Sequence, residues 1–86
     1  MNISAKVTDE RVAAVRCDDH SLIVDQMDGR TLSVPLAWYP RLDGASPQER
    51  ANGEISAAGF GIHWPDLDED LSTEGLLRGA PATRAA

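Results

Sequence analysis

The chain has 86 residues, a hydrophobic share of 42% and a formal net charge of -6 at pH 7. A chain of this length builds one domain with a thin core, which favours a small binding module over an enzyme with a deep pocket. The acidic charge argues against direct nucleic-acid binding, because such binding needs a basic surface that replaces the counterions on phosphate.

The first part of the chain predicts three antiparallel strands. The side chains of residues 12–17 divide between two faces with a period of two, as in a strand. Polar residues then supply a turn with Asp19 and His20 at its tip. A second strand follows over residues 22–26, and Pro35 ends a third because proline cannot donate to a ladder. The three strands share one apolar face and leave a mostly polar face, as in a sheet with one side in water.

The pair Asp28-Gly29 marks the hairpin between the second and third strands. A two-residue loop would place Asp25 opposite Leu32, and a charge beside a core residue is unfavourable. We therefore predict a three-residue loop of Met27, Asp28 and Gly29, with Gly29 in the left-handed conformation. The expected cross-strand pairs are Val24 with Leu32, Leu22 with Val34, Cys17 with Leu22, and Val15 with Val24.

Short helices are predicted in the middle of the chain. The apolar segment Leu36–Leu42 is interrupted by Pro40, which favours one turn of helix on either side of the proline. Ser46 and Glu49 have the spacing of a capping box around a proline, so a helix should span about Pro47–Asn52.

A fourth and a fifth strand are predicted over residues 54–57 and 60–64, joined at Ala58-Gly59. Pro65 closes the fifth strand. The expected features are Ile55 opposite Ile62, Ala57 opposite Phe60, and one apolar face shared by Phe60, Ile62 and Trp64.

The last predicted elements are an acidic turn over residues 66–70 and a short helix. Ser72 can cap this helix, Glu74 suits its positive end, and Gly79 ends it. We expect residues 80–86 to form a disordered tail.

These elements predict a single α+β domain over residues 1–86, ordered from about residue 10 to 79. The expected architecture is a small antiparallel sheet of about four to five strands with short helices. Because the core is thin, burial of an apolar face in a second copy would add stability, so a homodimer is one of the alternatives.

Cysteine content and hydropathy indicate the compartment. Cys17 is the only cysteine, so no internal disulfide can form, as is typical of the reducing cytosol. No apolar run reaches the length of a signal peptide or of a membrane-spanning helix. We expect a cytoplasmic protein with no membrane contact.

Several short motifs stand in a fixed order between residues 12 and 79. They are Asp28-Gly29-Arg30, Val34-Pro35-Leu36, Trp38-Tyr39-Pro40-Arg41-Leu42, Glu49-Arg50-Ala51-Asn52, Gly61-Ile62-His63-Trp64-Pro65 and Leu67-Asp68-Glu69-Asp70-Leu71-Ser72. In order and spacing, this set resembles a small bacterial family called domain of unknown function 2442.

The resemblance implies a compact α+β domain with an antiparallel sheet. It also implies a frequent genomic neighbour from another small uncharacterised family, in a pairing that looks like a toxin and an antitoxin. Some relatives carry a C-terminal helix-turn-helix segment. This chain stops soon after Gly79, so we do not expect a DNA-reading module or direct repression.

The acids Asp66, Asp68, Glu69 and Asp70 lie close to His63 in sequence. Oxygen ligands suit calcium or magnesium, but the spacing lacks the glycine and the glutamate of an EF-hand loop, and we predict no metal site. A solvated acidic turn is one interpretation. A contact surface for a basic partner is the other, because five of the fourteen acids fall within nine residues that contain no base.

The segment with Trp38, Tyr39 and Arg41 holds residue types that are enriched at protein-binding hot spots. In a domain this small, the same residues can equally serve as core and rim. His63 beside Trp64 could act as a general base, but no serine, cysteine or carboxylate has a fixed relation to it in the sequence. We therefore assign no catalytic residue.

We predict a non-enzymatic protein-binding module with no cofactor and no metal. Its most concrete form is an antitoxin-like partner that masks a small basic toxin encoded next to it. The alternative is a homo-oligomeric regulatory or small-ligand-binding domain. The expected partner-binding residues are Trp38, Tyr39, Arg41, His63, Trp64, Asp66, Asp68, Glu69 and Asp70.

Overall fold

The computed structural model describes residues 8–79, which form six β-strands and three short α-helices. The predicted tail, residues 80–86, lies outside the described residues. Short 3-10 turns occur at Leu36–Trp38 and Ala57–Gly59. In chain order the elements are β1 (Val12–Cys17), β2 (Ser21–Gln26), β3 (Thr31–Pro35), α1 (Pro40–Asp43), α2 (Pro47–Ala51), β4 (Glu54–Ser56), β5 (Gly61–Trp64), β6 (Glu69–Ser72) and α3 (Thr73–Arg78).

The first sheet is an antiparallel meander in the order β1-β2-β3. The loop between β2 and β3 has the predicted three residues, because the Gln26 amide donates to the Arg30 carbonyl at 2.8 Å and closes it. Gly29 has a φ of +98°, a conformation that glycine adopts at little cost. The predicted pairs Val24 with Leu32, Leu22 with Val34, Cys17 with Leu22, and Val15 with Val24 are confirmed.

The second sheet is also antiparallel and has the order β4-β5-β6. Ile55 lies opposite Ile62 as predicted, but the expected pairing of Ala57 with Phe60 is wrong. Ala57 and Ala58 have φ values of +53° and +56°. This left-handed backbone is not extended, so the ladder stops one pair earlier than the alternation of residues indicates.

Strand β6 was not predicted from the sequence. Its acids indicate a turn, yet the strand alternates and keeps Glu69 inside the fold while Asp70 faces outward. Residues 8–79 therefore form six strands in two three-stranded sheets, against the four to five expected in one sheet. The α+β class is confirmed.

The three helices begin at the caps and prolines that predict them. Pro40 opens α1, and Ser46 caps α2 by accepting from the Glu49 amide at 3.1 Å while its own amide donates to Glu49 Oε1 at 2.9 Å. Ser72 caps α3 by accepting from the Gly75 amide at 3.0 Å. Within residues 8–79, no helix combines the length and the apolar character that crossing a membrane requires.

One hydrophobic core joins both sheets to the helices. Phe60 does not take part, because it follows the left-handed turn and is 50% exposed, so its predicted place beside Ile62 and Trp64 is wrong. The buried core residues are Val12, Leu22, Val24, Val34, Leu36, Tyr39, Leu42, Ile62, Trp64 and Leu76.

Trp64 connects β5 to the helices. Its side chain is fully buried, and its Nε1 donates to the Arg50 carbonyl on α2 at 3.0 Å. The Arg50 side chain then donates to the Leu42 carbonyl at 2.8 Å and to the Asp43 carbonyl at 2.9 Å. Gly53 lies against the indole, since a Cβ at that position would be 2.7 Å from Trp64 Nε1. The placement of α1 and α2 therefore depends on this ring.

Replacing Gly53 with alanine should destabilise the fold, because the added Cβ would stand 2.7 Å from an indole that is enclosed on all sides. Overpacking of this kind costs about 1–3 kcal/mol. Urea unfolding followed by circular dichroism should give a clearly lower midpoint for Gly53→Ala. Gly44→Ala is the control, since its Cβ would meet only the Pro40 carbonyl at 3.4 Å. Equal midpoints for the two variants would contradict this account of Gly53.

Hydrogen bonds to the Asp28 side chain connect the segment before β1 to the loop between β2 and β3. Its Oδ2 accepts from the Arg30 guanidinium at 2.8 Å and from the Asp9 amide at 2.9 Å. The hydrogen bond from Arg30, followed by that from Asp9, lowers the pKa of Asp28 from 3.8 to about 2. The folded chain therefore favours the ionised carboxylate.

Because the pKa of Asp28 is lower in the folded state, its contribution to stability is present above about pH 4 and is lost as the pH falls toward 2. Asp28→Asn should unfold more readily than the wild type at pH 7 and should lose less stability between pH 4 and pH 2. Thermal unfolding across this range measures the difference. Asp19→Asn, at an exposed turn position, should follow the wild type. Parallel curves for Asp28→Asn and the wild type would refute the assignment.

Candidate functional site

The fold brings together two of the segments predicted to contact a partner, α1 and the turn of residues 65–68, which we call the acidic turn. Arg41 on α1 donates from Nη1 to the backbone carbonyl of Asp68 at 2.5 Å, across 27 residues of sequence. Trp38 lies just before α1 and is half-buried. Arg41 and the acidic turn, which are distant in the chain, therefore lie next to each other.

The acidic turn presents its carboxylates to solvent. The Leu67 amide donates to the Trp64 carbonyl at 3.1 Å, and Asp68 has a φ of +52°, which aspartate adopts more readily than most residues. Asn52 at the end of α2 donates from Nδ2 to Asp66 Oδ2 at 3.0 Å. Asp66 and Asp68 are both exposed. Arg41 binds a backbone carbonyl in this turn, so its hydrogen bond does not engage either carboxylate.

His63 and Asp70 lie on the outward face of the second sheet. They pair across β5 and β6, with His63 Nδ1 at 2.9 Å from Asp70 Oδ1. Glu54 lies opposite His63 on β4, and side chains of directly opposed residues share a face. The Asp70 side chain is 72% exposed. This row places one imidazole between two acidic residues at the surface.

Tyr39, Trp64 and Glu69 are the predicted contact residues that the fold buries, with exposures of 1%, 0% and 9%. Strand alternation turns Trp64 and Glu69 to the inner face, and Tyr39 packs in the core. Such side chains offer little or no surface to a partner, so the contact prediction for these three is corrected. The predicted residues that remain at least partly accessible are Trp38, Arg41, His63, Asp66, Asp68 and Asp70.

The Tyr39 hydroxyl is a buried polar group without a hydrogen-bond partner among the described residues. Burial, and then the nearby charge of Glu69, raises the pKa of Tyr39. The phenol is therefore neutral at physiological pH and acts as a core side chain.

A groove of about 330 Å³ on the outward face of the second sheet was not predicted from the sequence. Phe60 and Asp70 line it, and Gly61 lies between Ser56 and Ser72 in the strand register. The sequence signal for this groove is an aromatic residue between two glycines. That signal does not indicate which way the ring points, because the direction depends on the left-handed turn before it.

A second groove of about 220 Å³ lies between β1 and α2, with Cys17 and Arg50 among its lining residues. Burial raises the pKa of the Cys17 thiol, although the charge of Arg50 acts in the opposite direction. The thiol is therefore protonated at neutral pH, and a protonated thiol is a weak nucleophile. Across residues 8–79, no three histidine, cysteine, aspartate or glutamate side chains converge on a possible metal position.

Comparison with known proteins gives matches to proteins without an assigned function. A family model described as a protein of unknown function, DUF2442, matches residues 12–82. A crystal structure of a protein of unknown function from Rhodospirillum rubrum is 38% identical, with a TM-score of 0.76, over 86% of this chain and 92% of the other. An uncharacterised protein from Chromobacterium violaceum, solved by NMR, is 27% identical, with a TM-score of 0.72, over 85% and 69%. No curated protein matches the chain.

Replacing Arg41 with glutamine should loosen the acidic turn, because it removes the charged donor to the Asp68 carbonyl. We expect hydrogen exchange of the Leu67 amide, which closes the turn, to become about two- to tenfold faster. NMR-detected exchange measures this rate directly. Arg78→Gln is the control, since within residues 8–79 the one ion pair of Arg78 is with Glu74, at 3.8 Å between two exposed side chains. Unchanged exchange at Leu67 in Arg41→Gln would show that this contact does not hold the turn.

Proposed function

The chain belongs to the DUF2442 family of proteins of unknown function, and we propose that it is a non-enzymatic protein-binding module for a small basic partner. In the most concrete form of the proposal, it is a cytoplasmic, antitoxin-like protein whose partner is encoded next to it. The proposal involves no cofactor, no metal and no direct contact with nucleic acid or membrane.

The observation that carries the proposal is the contact between Arg41 and the Asp68 carbonyl. It holds an exposed arginine against the acidic turn, and the half-buried Trp38 lies two residues before α1 in the chain. Tryptophan and arginine are enriched at binding hot spots, and surrounding charges supply complementarity. A surface of this composition suits a basic protein better than a small molecule.

The charge distribution supports a partner of the opposite sign. The chain carries a net charge of -6, and Asp66, Asp68 and Asp70 are all exposed. Exposed charges of this kind accelerate the encounter with an oppositely charged protein, and salt weakens the effect. The expected complex is therefore sensitive to ionic strength.

A homo-oligomeric regulatory domain is the second candidate, and exposed Ile55 favours it. Ile55 lies on β4, an outer strand of the second sheet, and is 46% exposed. Burial of this side chain in a second copy would remove apolar surface from water. Light scattering distinguishes a monomer from a dimer, and a dimer broken by Ile55→Ser would favour this candidate.

Co-expression with the adjacent gene product, followed by pull-down at low and high salt, tests the proposal. The complex should form at low salt, and the double variant Asp66→Asn/Asp68→Asn should weaken it by about two- to tenfold. The control is Glu10→Gln/Asp19→Asn, which removes the same charge from exposed positions before β1 and between β1 and β2. Equal weakening by the two variants would assign the effect to net charge instead of this surface.

Growth of cells that express the neighbour alone tests the antitoxin form separately. We expect growth inhibition that co-expression of this chain relieves and that the double variant of the acidic turn relieves less well. A complex without any growth inhibition would leave the binding proposal standing and would refute its antitoxin form.

A further inference from the structure

The groove beside Phe60 has features that the proposed function does not use. Phe60 is 50% exposed although it is a large apolar side chain next to a buried strand. It shares the groove with Asp70, whose side chain is 72% exposed. An apolar wall and an open carboxylate thus face one space of about 330 Å³.

Gly61 keeps this groove open. A Cβ at Gly61 would be 3.0 Å from Ser56 Oγ and 3.4 Å from the Ala57 Cβ. Its φ is not in the left-handed region, so space and not backbone conformation accounts for glycine at this position. Any larger residue would occupy the floor between the two strands that flank β5.

The strand register sets the length of the groove. The Thr73 amide donates to the Phe60 carbonyl at 3.0 Å, so Phe60 lies level with Thr73, while Asp70 lies opposite His63. Three residues separate these levels, from Asp70 on β6 to Thr73 at the start of α3, which corresponds to about 10 Å at the spacing of an extended chain. A side chain that contacts both ends must therefore be long, with an apolar stem and a charged head.

The acceptors in the groove suit a guanidinium head. Asp70 Oδ1 faces His63 Nδ1 at 2.9 Å, which leaves Oδ2 for another donor. Ser56 and Ser72 also line the groove, and no lysine or arginine among residues 8–79 does. A guanidinium offers five donors in a planar fork that matches a carboxylate and neighbouring oxygens.

We propose that this groove binds an arginine side chain of the partner, with its methylene stem against the Phe60 ring and its guanidinium on Asp70. The inference rests on the proposed function and adds the residue type that the partner inserts. Long basic side chains commonly bury the stem along apolar surface while the charged head meets an acceptor. The charge of the chain, -6, favours a cationic group at this position.

Titration of the isolated, ¹⁵N-labelled chain with N-acetyl-arginine N-methylamide tests the inference. We expect saturable chemical-shift changes confined to residues 56–61 and 70–72. The citrulline analogue has the same shape without the charge and should give no saturable change. Equal binding of the citrulline analogue, or shifts centred on residues 65–68, would overturn the assignment.

Two variants identify the groove residues. Phe60→Leu and Asp70→Asn should each weaken arginine binding by about three- to tenfold, and both positions are exposed enough for the fold to persist. The controls are Ile55→Ala, an exposed apolar residue of the same sheet, and Asp19→Asn, at an exposed turn position between β1 and β2; both should bind as the wild type does. Unchanged affinity in Phe60→Leu and Asp70→Asn would refute the inference.

This titration needs no partner protein, so its failure differs from failure of the proposed function. If the arginine probe does not bind while the adjacent gene product still does, only the arginine site is wrong. If the probe binds the groove but the adjacent gene product forms no complex, the choice of partner is wrong and the groove assignment stands.

Discussion

The hydrogen bond from the buried Trp64 indole to the Arg50 carbonyl is the interaction on which the rest of the structure depends. A buried indole N–H needs an acceptor, and α2 supplies it from its backbone. Gly53 leaves room for the ring. The Arg50 side chain in turn donates hydrogen bonds to the Leu42 and Asp43 carbonyls at the end of α1. In a domain with so thin a core, this polar connection positions helices that apolar burial alone would hold loosely.

The same connection explains why the candidate surface has a defined shape. Trp64 is the last residue of β5, and its carbonyl accepts the amide that closes the acidic turn. Arg41 on α1 donates to the Asp68 carbonyl in that turn, so hydrogen bonds connect β5, α2, α1 and the acidic turn in series. These hydrogen bonds fix the backbone that carries the exposed side chains, also in the free protein. A preorganised surface of this kind loses less conformational entropy on binding. The fold therefore links a buried tryptophan to the arrangement of exposed charges.

Much of the fold could be predicted because local signals agree with the final structure. The pair Asp28-Gly29 and the alternation of β2 fix the register of the first sheet, and Ser46 fixes the start of α2. Strand β6 escaped prediction because acids at its start resemble a turn. The contact between Arg41 and Asp68 leaves no sequence signal, since its acceptor is a backbone carbonyl that every residue possesses. Residue type alone also does not distinguish an exposed aromatic side chain from a buried one.

We propose that the partner contacts α1 and the acidic turn together. Hydrogen–deuterium exchange of the chain, alone and in complex with the adjacent gene product, measures which amides the partner covers. We expect new protection at residues 38–41 and 65–68 together, with the first sheet unchanged. Protection confined to residues 23–33 on the first sheet, or at only one of the two segments, would contradict the claim.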